Sequence, residues 1–248
     1  MKDVLVDIEA LGRIIEDAAG FDIDAVGRDA FRAAAASLAR RARAETPGGY
    51  AALVASSPRE RERLIERLLV HETWFFRDEE PFMYLRRHMR TEWLPSHPEG
   101  AFRVLSAPCS TGEEAYSAVM ALLDEGMEPG RFHVDGVDVS RKSIEAARNA
   151  VYGIGSFREK RFYAPDRRFS PSGEGFLLDP AIAGLARFPR GNIFDPDFLA
   201  DREPYDAVFC RNLIVYLVRA AREKVFAAVD RLLASGGVLF AGSAEVAF

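Results

Sequence analysis

Two apolar runs, at residues 102–106 and 205–208, each end in small or polar residues and then continue with the periodicity of a helix. The polar residues after the first run lie within 107–116, and those after the second lie within 209–216. In an open α/β sheet, ligands bind at the carboxyl ends of the parallel strands. The two segments are therefore predicted to face one crevice, which is the expected position of an enzyme site.

The composition limits the classes of protein to which the chain can belong. With 248 residues, 48% of them hydrophobic, it is long enough for one large domain or two unequal ones. Its formal net charge of −5 gives no overall attraction for nucleic acid. Two cysteines do not make a disulfide framework, four scattered histidines do not have metal-site spacing, and no apolar run has the length of a membrane span. These features predict a cytoplasmic protein that binds no metal and does not insert into a membrane.

The pattern of apolar residues changes once along the chain. Residues 1–89 have helical periodicity and are predicted to form an N-terminal helical domain, followed by a linker at 90–100. From 101 to 248 strands and helices alternate, which indicates a Rossmann-like parallel sheet in an α/β fold. The alternation is interrupted at about 153–190, where a turn-forming segment predicts a small β-hairpin insert. The predicted strands of the sheet are 102–107, 132–139, 205–210 and 238–242.

Small and acidic residues follow the first predicted strand. The hydroxyls of Ser110 and Thr111 are predicted to cap the next helix, and Gly112 would let a ligand approach the backbone. Glu113 and Glu114 would repel a pyrophosphate but suit a cationic ligand. This argues against NAD or ATP and favours S-adenosylmethionine, which carries a sulfonium and an α-ammonium group. The open alternative is that the two glutamates only complement the helix dipole.

Asp138 ends the second predicted strand. In nucleotide-binding sheets an acidic residue at this place, about 20 residues after the glycine-rich turn, binds ribose hydroxyls, and Asp138 lies 138 − 112 = 26 positions after Gly112. The alternative role is the N-cap of the next helix, for which Ser140 is better placed. Ribose binding is therefore the favoured interpretation of Asp138.

Four blocks of the chain resemble the chemotaxis receptor methyltransferases, the CheR-type protein-glutamate O-methyltransferases that use S-adenosylmethionine. The blocks are 73–78 (TWFFRD), 106–117 (SAPCSTGEEAYS), 136–139 (GVDV) and 209–216 (FCRNLIVY). The end of the chain, at 237–245, is similar too. The resemblance covers nearly the whole sequence. It implies a class I methyltransferase sheet with an N-terminal helical domain and a small β-hairpin insert.

The resemblance also implies roles for individual residues. Arg77, beside the transferred methyl, and Tyr216, facing the transfer centre, are the implied catalytic residues. The implied cofactor-binding residues are His71, Thr73, Arg77, Glu114, Asp138, Asn192, Ile193, Arg211 and Asn212. Two positions depart from the family pattern, because His71 stands where asparagine is usual and Ala115 where proline is usual.

Structural alternatives stay open for the two implied catalytic residues. Arg77 could form a surface ion pair with Asp78 or Glu79. Tyr216 could instead pack against the sheet.

A basic stretch near the end of the second predicted helix contains Arg40, Arg41 and Arg43. Most charge runs are only solvated faces. The resemblance, however, implies that this helix binds the acidic methylation region of a receptor's coiled coil. A local positive face would steer such a substrate towards a protein of net negative charge.

The function implied by the resemblance is methyl transfer to glutamate side chains in the cytoplasmic methylation region of a chemoreceptor, with S-adenosylhomocysteine as the product. A glutamate is already an anion at neutral pH and needs no general base. One alternative is a non-catalytic signalling module of the same fold that only binds S-adenosylmethionine. Another is a methyltransferase acting on nucleic acid or a small molecule.

Family members usually continue into one more strand beyond the last strand predicted here. We therefore expect that the chain is a domain of a longer protein. The sheet edge left by the missing strand would be exposed and could pair with another copy.

Overall fold

The computed structural model describes residues 6–44, 46–69, 72–159 and 166–245. The chain divides into two compact units, Met1–Val70 with Leu213–Ala227, and His71–Asn212 with Ala228–Phe248. This division differs from the predicted domain boundary at residue 89. The physical reason is that Phe82 and Leu85, on a helix assigned by prediction to the first domain, are buried in the core of the second unit.

The first unit is helical. Its helices are α1 (Ile8–Ala19), α2 (Ile23–Val26), α3 (Arg28–Arg41), α4 (Pro47–Ser56) and α5 (Pro58–Leu68). The Asp7 side chain caps α1 by accepting a 3.0 Å hydrogen bond from the Ala10 amide, and Gly20 ends this helix with φ at 68°. Thr46 and Ser57 cap α4 and α5, both of which begin with proline.

The second unit has a central parallel sheet. The strands of the chain are β1 (Phe102–Ser106), β2 (Phe132–Gly136), β3 (Val151–Tyr152), β4 (Phe169–Ser172), β5 (Gly175–Leu178), β6 (Ala186–Arg187), β7 (Tyr205–Cys210) and β8 (Leu233–Ala241). Five of them form the sheet in the order β6-β2-β1-β7-β8, all parallel. The predicted α/β class is confirmed. In the described part of the chain, β8 is the end strand of this sheet.

The remaining helices are α6 (Glu80–His88), α7 (Leu94–Ser96), α8 (Glu113–Asp124), α9 (Arg141–Asn149), α10 (Pro180–Ala183) and α11 (Arg219–Leu232). Between α6 and α7 the chain forms a π-helical turn, Met89–Trp93, where an open linker was predicted. Trp93 is buried there, with its ring 5.1 Å from that of Phe102. None of the helices in the described ranges combines the length and apolar character needed to cross a bilayer.

The last strand begins earlier than predicted. β8 starts at Leu233, which pairs with Tyr205, and its register shifts before Val238 pairs with Ala207. Gly236, with φ at 78°, lies in the shifted stretch and allows the irregular backbone.

The interrupted segment forms a second, smaller sheet. β3, β5 and β4 are antiparallel in that order, and β4 and β5 form the predicted hairpin. The predicted end of the insert at 190 is wrong, because β6 already pairs with β2 in the main sheet. β6 has only two residues, too few to leave a strand pattern in the sequence.

Candidate functional site

Side chains at three strand ends and in one preceding loop make up the candidate site, all in the second unit. The loops follow β1, β2 and β7, and the preceding loop is the segment 72–78. The name "candidate site" denotes Arg77, Asp78, Ser110, Glu114, Asp138, Arg211 and Asn212. The parallel sheet brings the three strand ends to one edge, as the sequence predicts.

A buried guanidinium joins three of these segments. Arg211 is 5% exposed, and its Nη1 donates to Glu114 Oε2 at 3.1 Å and to the Arg77 carbonyl at 3.2 Å. Its Nη2 donates to the carboxylate of Asp78. Glu114 Oε1 accepts a further hydrogen bond from Ser106 Oγ at 2.8 Å. Because a buried charge must be paired, these contacts fix the segment 72–78 against α8 and the end of β7.

Glu114 has a more specific role than complementing the helix dipole. Burial raises its pKa, while the neighbouring Arg211 guanidinium and the Ser106 hydroxyl favour the charged form. The carboxylate lies in the first turn of α8 and pairs with a cation from another strand end. Glu114 therefore connects the two blocks that the sequence analysis placed at one crevice.

Asp138 is held by backbone amides at the end of β2. Its carboxylate accepts from Ser110 N at 2.9 Å and from Ser140 N at 2.8 Å, and the residue is 7% exposed. Ser140 caps α9 by accepting from Ser143 N at 3.0 Å, as predicted. Asp138 is thus not the helix cap, and its carboxylate is oriented between two loops of the site.

The segment that carries Asn192 and Ile193 lies beside Asp138. Gly191 N donates to the Asp138 carbonyl at 3.2 Å. Asn192 Oδ1 accepts from Phe194 N at 3.2 Å, and both Asn192 and Ile193 are half-buried. Their implied roles on the adenine side stay predictions.

Arg77 is oriented by two groups of its own segment. Its Cζ lies 4.5 Å from the centroid of the Trp74 ring, and its Nη1 donates to the Glu72 carbonyl at 2.8 Å. Asp78 pairs with Arg211 instead of Arg77, so the ion pair between neighbours considered for Arg77 and Asp78 is not formed. Thr73 is half-buried in the same segment.

Three buried polar atoms of the candidate site have no hydrogen-bond partner among the described residues. They are Arg77 Nε, Ser110 Oγ and Arg211 Nε. Buried polar groups are normally paired, and each unpaired group in a folded protein needs an explanation. Two guanidinium N–H donors and a hydroxyl fit a ligand that carries carboxylate or hydroxyl oxygens.

The charge of the candidate site favours a ligand with a positive group. Asp78, Glu114 and Asp138 supply three carboxylates, and Arg77 and Arg211 supply two guanidinium groups. One negative charge remains in excess. Asp138 and Arg211 are buried, where charges interact strongly, whereas the Asp78 side chain is about half exposed. A ligand with both a cationic centre and oxygen acceptors, such as S-adenosylmethionine, fits this donor set. In the described residues, no cluster of three or more His, Cys, Asp or Glu side chains could hold a metal ion.

The two cysteines are buried at the strand ends. Burial raises the pKa of Cys109 well above its usual value, and the charges of Asp138 and Glu114 raise it further. Burial, with the charges of Glu245 and Glu114, raises the pKa of Cys210 to about 12. Both residues are therefore protonated packing residues.

The predicted capping of α8 by Ser110 and Thr111 is wrong. Gly112 is the cap residue at φ 96°, no side chain caps this helix, and Thr111 Oγ1 donates to Glu113 Oε2 at 2.6 Å instead. Gly112 also has a packing role, and the predicted approach of a ligand to its backbone stays a prediction. A Cβ there would lie 2.8 Å from Cβ of Ala147, so close packing of α9 requires the glycine.

Several predicted residues lie outside this group. His71 is outside the described residues. Tyr216 is in the first unit, in a 3₁₀ turn, and its carbonyl accepts a hydrogen bond from Asp22 N at 2.8 Å. Its role in the transfer stays a prediction.

The predicted basic stretch is also in the first unit. Arg40, Arg41 and Arg43 are exposed at the end of α3 and just beyond it. Within the described ranges, none of the three forms an ion pair. Their implied contact with an acidic substrate stays a prediction.

The sequence analysis missed Asp78 and Glu245. Glu245 Oε2 accepts from Asn212 N at 2.8 Å and from Gly242 N at 2.7 Å, so a buried carboxylate ties the ends of β7 and β8 together. Both residues stand in blocks that resemble the family, and that was the only available signal. Neither spacing nor periodicity indicates which amide or guanidinium a carboxylate will bind.

The chain matches a known family over most of its length. The family model described as "CheR methyltransferase, SAM binding domain" matches residues 71–248. The chain belongs to the CheR methyltransferase family. The match begins where the second unit begins, so the candidate site lies in the S-adenosylmethionine-binding domain of this family. The resemblance, the Rossmann-like fold and the cofactor predicted from the sequence are confirmed.

Two relatives show how the CheR chain compares with longer proteins. It is 42% identical over 234 residues to the probable biofilm formation methyltransferase WspC of Pseudomonas aeruginosa, covering 94% of this chain and 55% of that protein. It is 31% identical over 218 residues to the chemotaxis protein methyltransferase of Salmonella typhimurium, covering 84% of this chain and 73% of that protein. The chain therefore spans little more than half the length of WspC.

Glu113, which precedes Glu114 in the first turn of α8, has a structural role that makes the free energy of unfolding depend on pH. It is 3% exposed, and Thr111 Oγ1 and Ser156 Oγ donate to its two oxygens. Burial raises its pKa, although the two hydroxyls oppose the shift. The folded protein therefore holds a proton on Glu113 at a pH where the unfolded chain has lost it.

We expect the free energy of unfolding to fall as the pH rises from the ordinary glutamate pKa through the raised pKa of Glu113. Glu113→Gln removes this contribution, so its free energy of unfolding should fall less over the same interval. Urea titrations from about pH 4 to pH 7 measure the difference. The control Glu174→Gln removes an exposed carboxylate and should follow the original protein. Parallel curves for the protein and Glu113→Gln would contradict the assignment.

Proposed function

We propose that this chain is the catalytic part of a cytoplasmic protein-glutamate O-methyltransferase that esterifies glutamates of a chemoreceptor. One observation supports it above the others. Arg77 is pre-oriented beside Arg211 and Glu114, and polar atoms of both arginines are left without partners. The names of the relatives, which include chemotaxis protein methyltransferases, support the same activity.

The residues present fit the cofactor. Asp138 would bind the ribose hydroxyls, since the amides of Ser110 and Ser140 fix its carboxylate just after the end of β2. Glu114 and the excess negative charge would stabilise the cationic end, and the unpaired arginine N–H groups would bind its carboxylate. S-adenosylmethionine supplies a methyl group on a positively charged sulfur.

The task left to the protein is alignment of the acceptor. The acceptor glutamate is an anion, so its oxygen would take the methyl group with no general base, the sulfur would keep the electron pair of the broken bond, and no proton would move. The Arg77 guanidinium, held over Trp74, would hold this carboxylate through its planar fork. Such positioning is worth about 7–11 kcal/mol of the barrier. The catalytic role of Tyr216, which lies in the first unit, stays a prediction of the family resemblance.

Replacing Asp138 tests the cofactor assignment. We expect Asp138→Ala to weaken the binding of S-adenosylhomocysteine by about 10- to 100-fold, the value of hydrogen bonds to a charged group. Isothermal titration calorimetry measures the affinity, with Asp179→Ala as a control on the same chain. Asp179 is exposed and caps the short helix α10. Unchanged affinity in Asp138→Ala would rule out this residue as the ribose ligand.

Replacing Arg77 tests the transfer reaction. The assay follows tritiated methyl from S-adenosylmethionine into membranes that carry a chemoreceptor, with release of the label in alkali. We expect Arg77→Lys to lower kcat about 100-fold, because the ammonium keeps the charge and loses the fork. The control Arg187→Lys changes an exposed arginine of β6 and should stay within about twofold.

Other outcomes of this assay identify the alternatives. A protein that binds S-adenosylhomocysteine but labels nothing is a non-catalytic module. Label that resists alkali indicates transfer to nitrogen, not to a carboxylate. The 42% identity to WspC supports a second candidate, in which the acceptor receptor controls biofilm formation instead of chemotaxis. Membranes carrying one or the other receptor distinguish these two cases.

The exposed arginines at the end of α3 are proposed to bind the acidic region of the acceptor. We expect joint replacement of Arg40, Arg41 and Arg43 by glutamine to raise the KM for receptor membranes roughly tenfold and leave kcat unchanged, because surface charges steer association. The KM should also depend less on salt. A matched control replaces Arg13, Arg59 and Arg67, three exposed arginines of the same unit. If both triple replacements raised the KM equally, the increase would come from the change in net charge and not from binding by Arg40, Arg41 and Arg43.

A further inference from the structure

The insert contacts both groups that orient Arg77. Glu159 Oε1 accepts from Trp74 Nε1 at 2.9 Å and from Asp78 N at 3.2 Å. The preceding residue, Arg158, donates from Nη1 to Glu72 Oε1 at 2.7 Å, and its Cζ lies 5.0 Å from the Trp74 ring centroid. Two adjacent residues of the insert therefore bind the residues on either side of Thr73.

Glu159 and Arg158 each act on Arg77 through one other residue. Glu159 fixes the indole of Trp74, over which the Arg77 guanidinium lies. Arg158 fixes Glu72, whose carbonyl accepts from Arg77 Nη1. The contact through Trp74 is the more rigid of the two. It joins a planar ring to a planar guanidinium, and the half-buried Glu159 carboxylate binds the ring nitrogen directly.

The segment 72–78 has separate anchors that do not involve Glu159. Phe75 N donates to the Ser156 carbonyl at 2.9 Å, and Phe76 N donates to Ser117 Oγ at 2.8 Å. The Phe75 ring packs 4.8 Å from that of Tyr152. Loss of the Glu159 carboxylate would therefore leave the segment attached while releasing the indole. This separates a role in orientation from a role in folding.

We propose that Glu159 is a positioning residue for Arg77. It touches neither cofactor nor acceptor and acts by holding the Trp74 indole against which the guanidinium is oriented. Alignment is what the transfer requires, and a displacement of about 1 Å can cost 100-fold in rate. The effect of Glu159 on catalysis rests on the proposed function, whereas its effect on the orientation of Arg77 does not.

Kinetics of two substitutions test the catalytic part. We expect Glu159→Ala to lower kcat about tenfold, with the KM for receptor membranes and the affinity for S-adenosylhomocysteine within about twofold. Glu159→Gln should stay within about twofold of the original kcat, because its amide oxygen can accept both hydrogen bonds. The matched control Glu174→Ala, in the turn of the same insert, should have no effect. An unchanged kcat in Glu159→Ala, or equal losses in the alanine and glutamine variants, would overturn the proposal.

Fluorine NMR tests the geometric part without any methyl transfer. The chain has two tryptophans, so protein labelled with 5-fluorotryptophan gives two resonances, and Trp74→Phe assigns one of them. We expect Arg77→Ala to shift the Trp74 resonance in the original background and to shift it much less in Glu159→Ala, where the stacking is already lost. Equal shifts in both backgrounds would overturn the proposal. If no methyl transfer is detected but the shifts differ between the two backgrounds, the proposed function is contradicted and the positioning role of Glu159 still holds.

Discussion

The ion pairs of Arg211 hold the candidate site together. The guanidinium stands at the end of β7 and binds a carboxylate from the segment 72–78 and another from the first turn of α8. Removing one partner from a buried ion pair typically costs about 3–5 kcal/mol, because the other charge stays buried without compensation. A lysine would not reproduce the contacts with these three acceptors, since its donors all lie on one nitrogen, whereas Nη1 and Nη2 of the guanidinium are held apart in a plane. The position of Arg77 follows from this arrangement, because its carbonyl is one of those acceptors.

Carboxylates that accept backbone amides fix the other strand ends. Asp138 binds two amides after β1 and β2, and Glu245 binds two after β7 and β8. Each carboxylate thereby joins its own loop to a loop that follows a different strand. The loops are thereby held in place before a ligand arrives, which reduces the entropy that binding must overcome. The acidic character of the site thus serves both its architecture and its preference for a cationic ligand.

Local patterns were enough to predict four of the five strands of the main sheet, α8 and the choice of Ser140 as a helix cap, because each depends on neighbours in sequence. The family blocks added the site residues. Hydrogen bonds connect Arg77, Glu114 and Arg211, and Asp138 is held separately after the end of β2. The partners of Arg211 could not be predicted, since they lie 97 and 133 positions away and no spacing rule connects them. The packing constraint on Gly112 could not be predicted for the same reason, because it comes from a helix later in the chain.

The burial of Cys109 has a consequence for any methyl donor at this site. A thiolate is a better nucleophile than a carboxylate, so an ionised cysteine next to a sulfonium would alkylate itself and inactivate the protein. Burial, reinforced by the carboxylates of Asp138 and Glu114, raises the pKa of this thiol and keeps it protonated. The packing that hides Cys109 would therefore protect the protein from methylation by its own reagent.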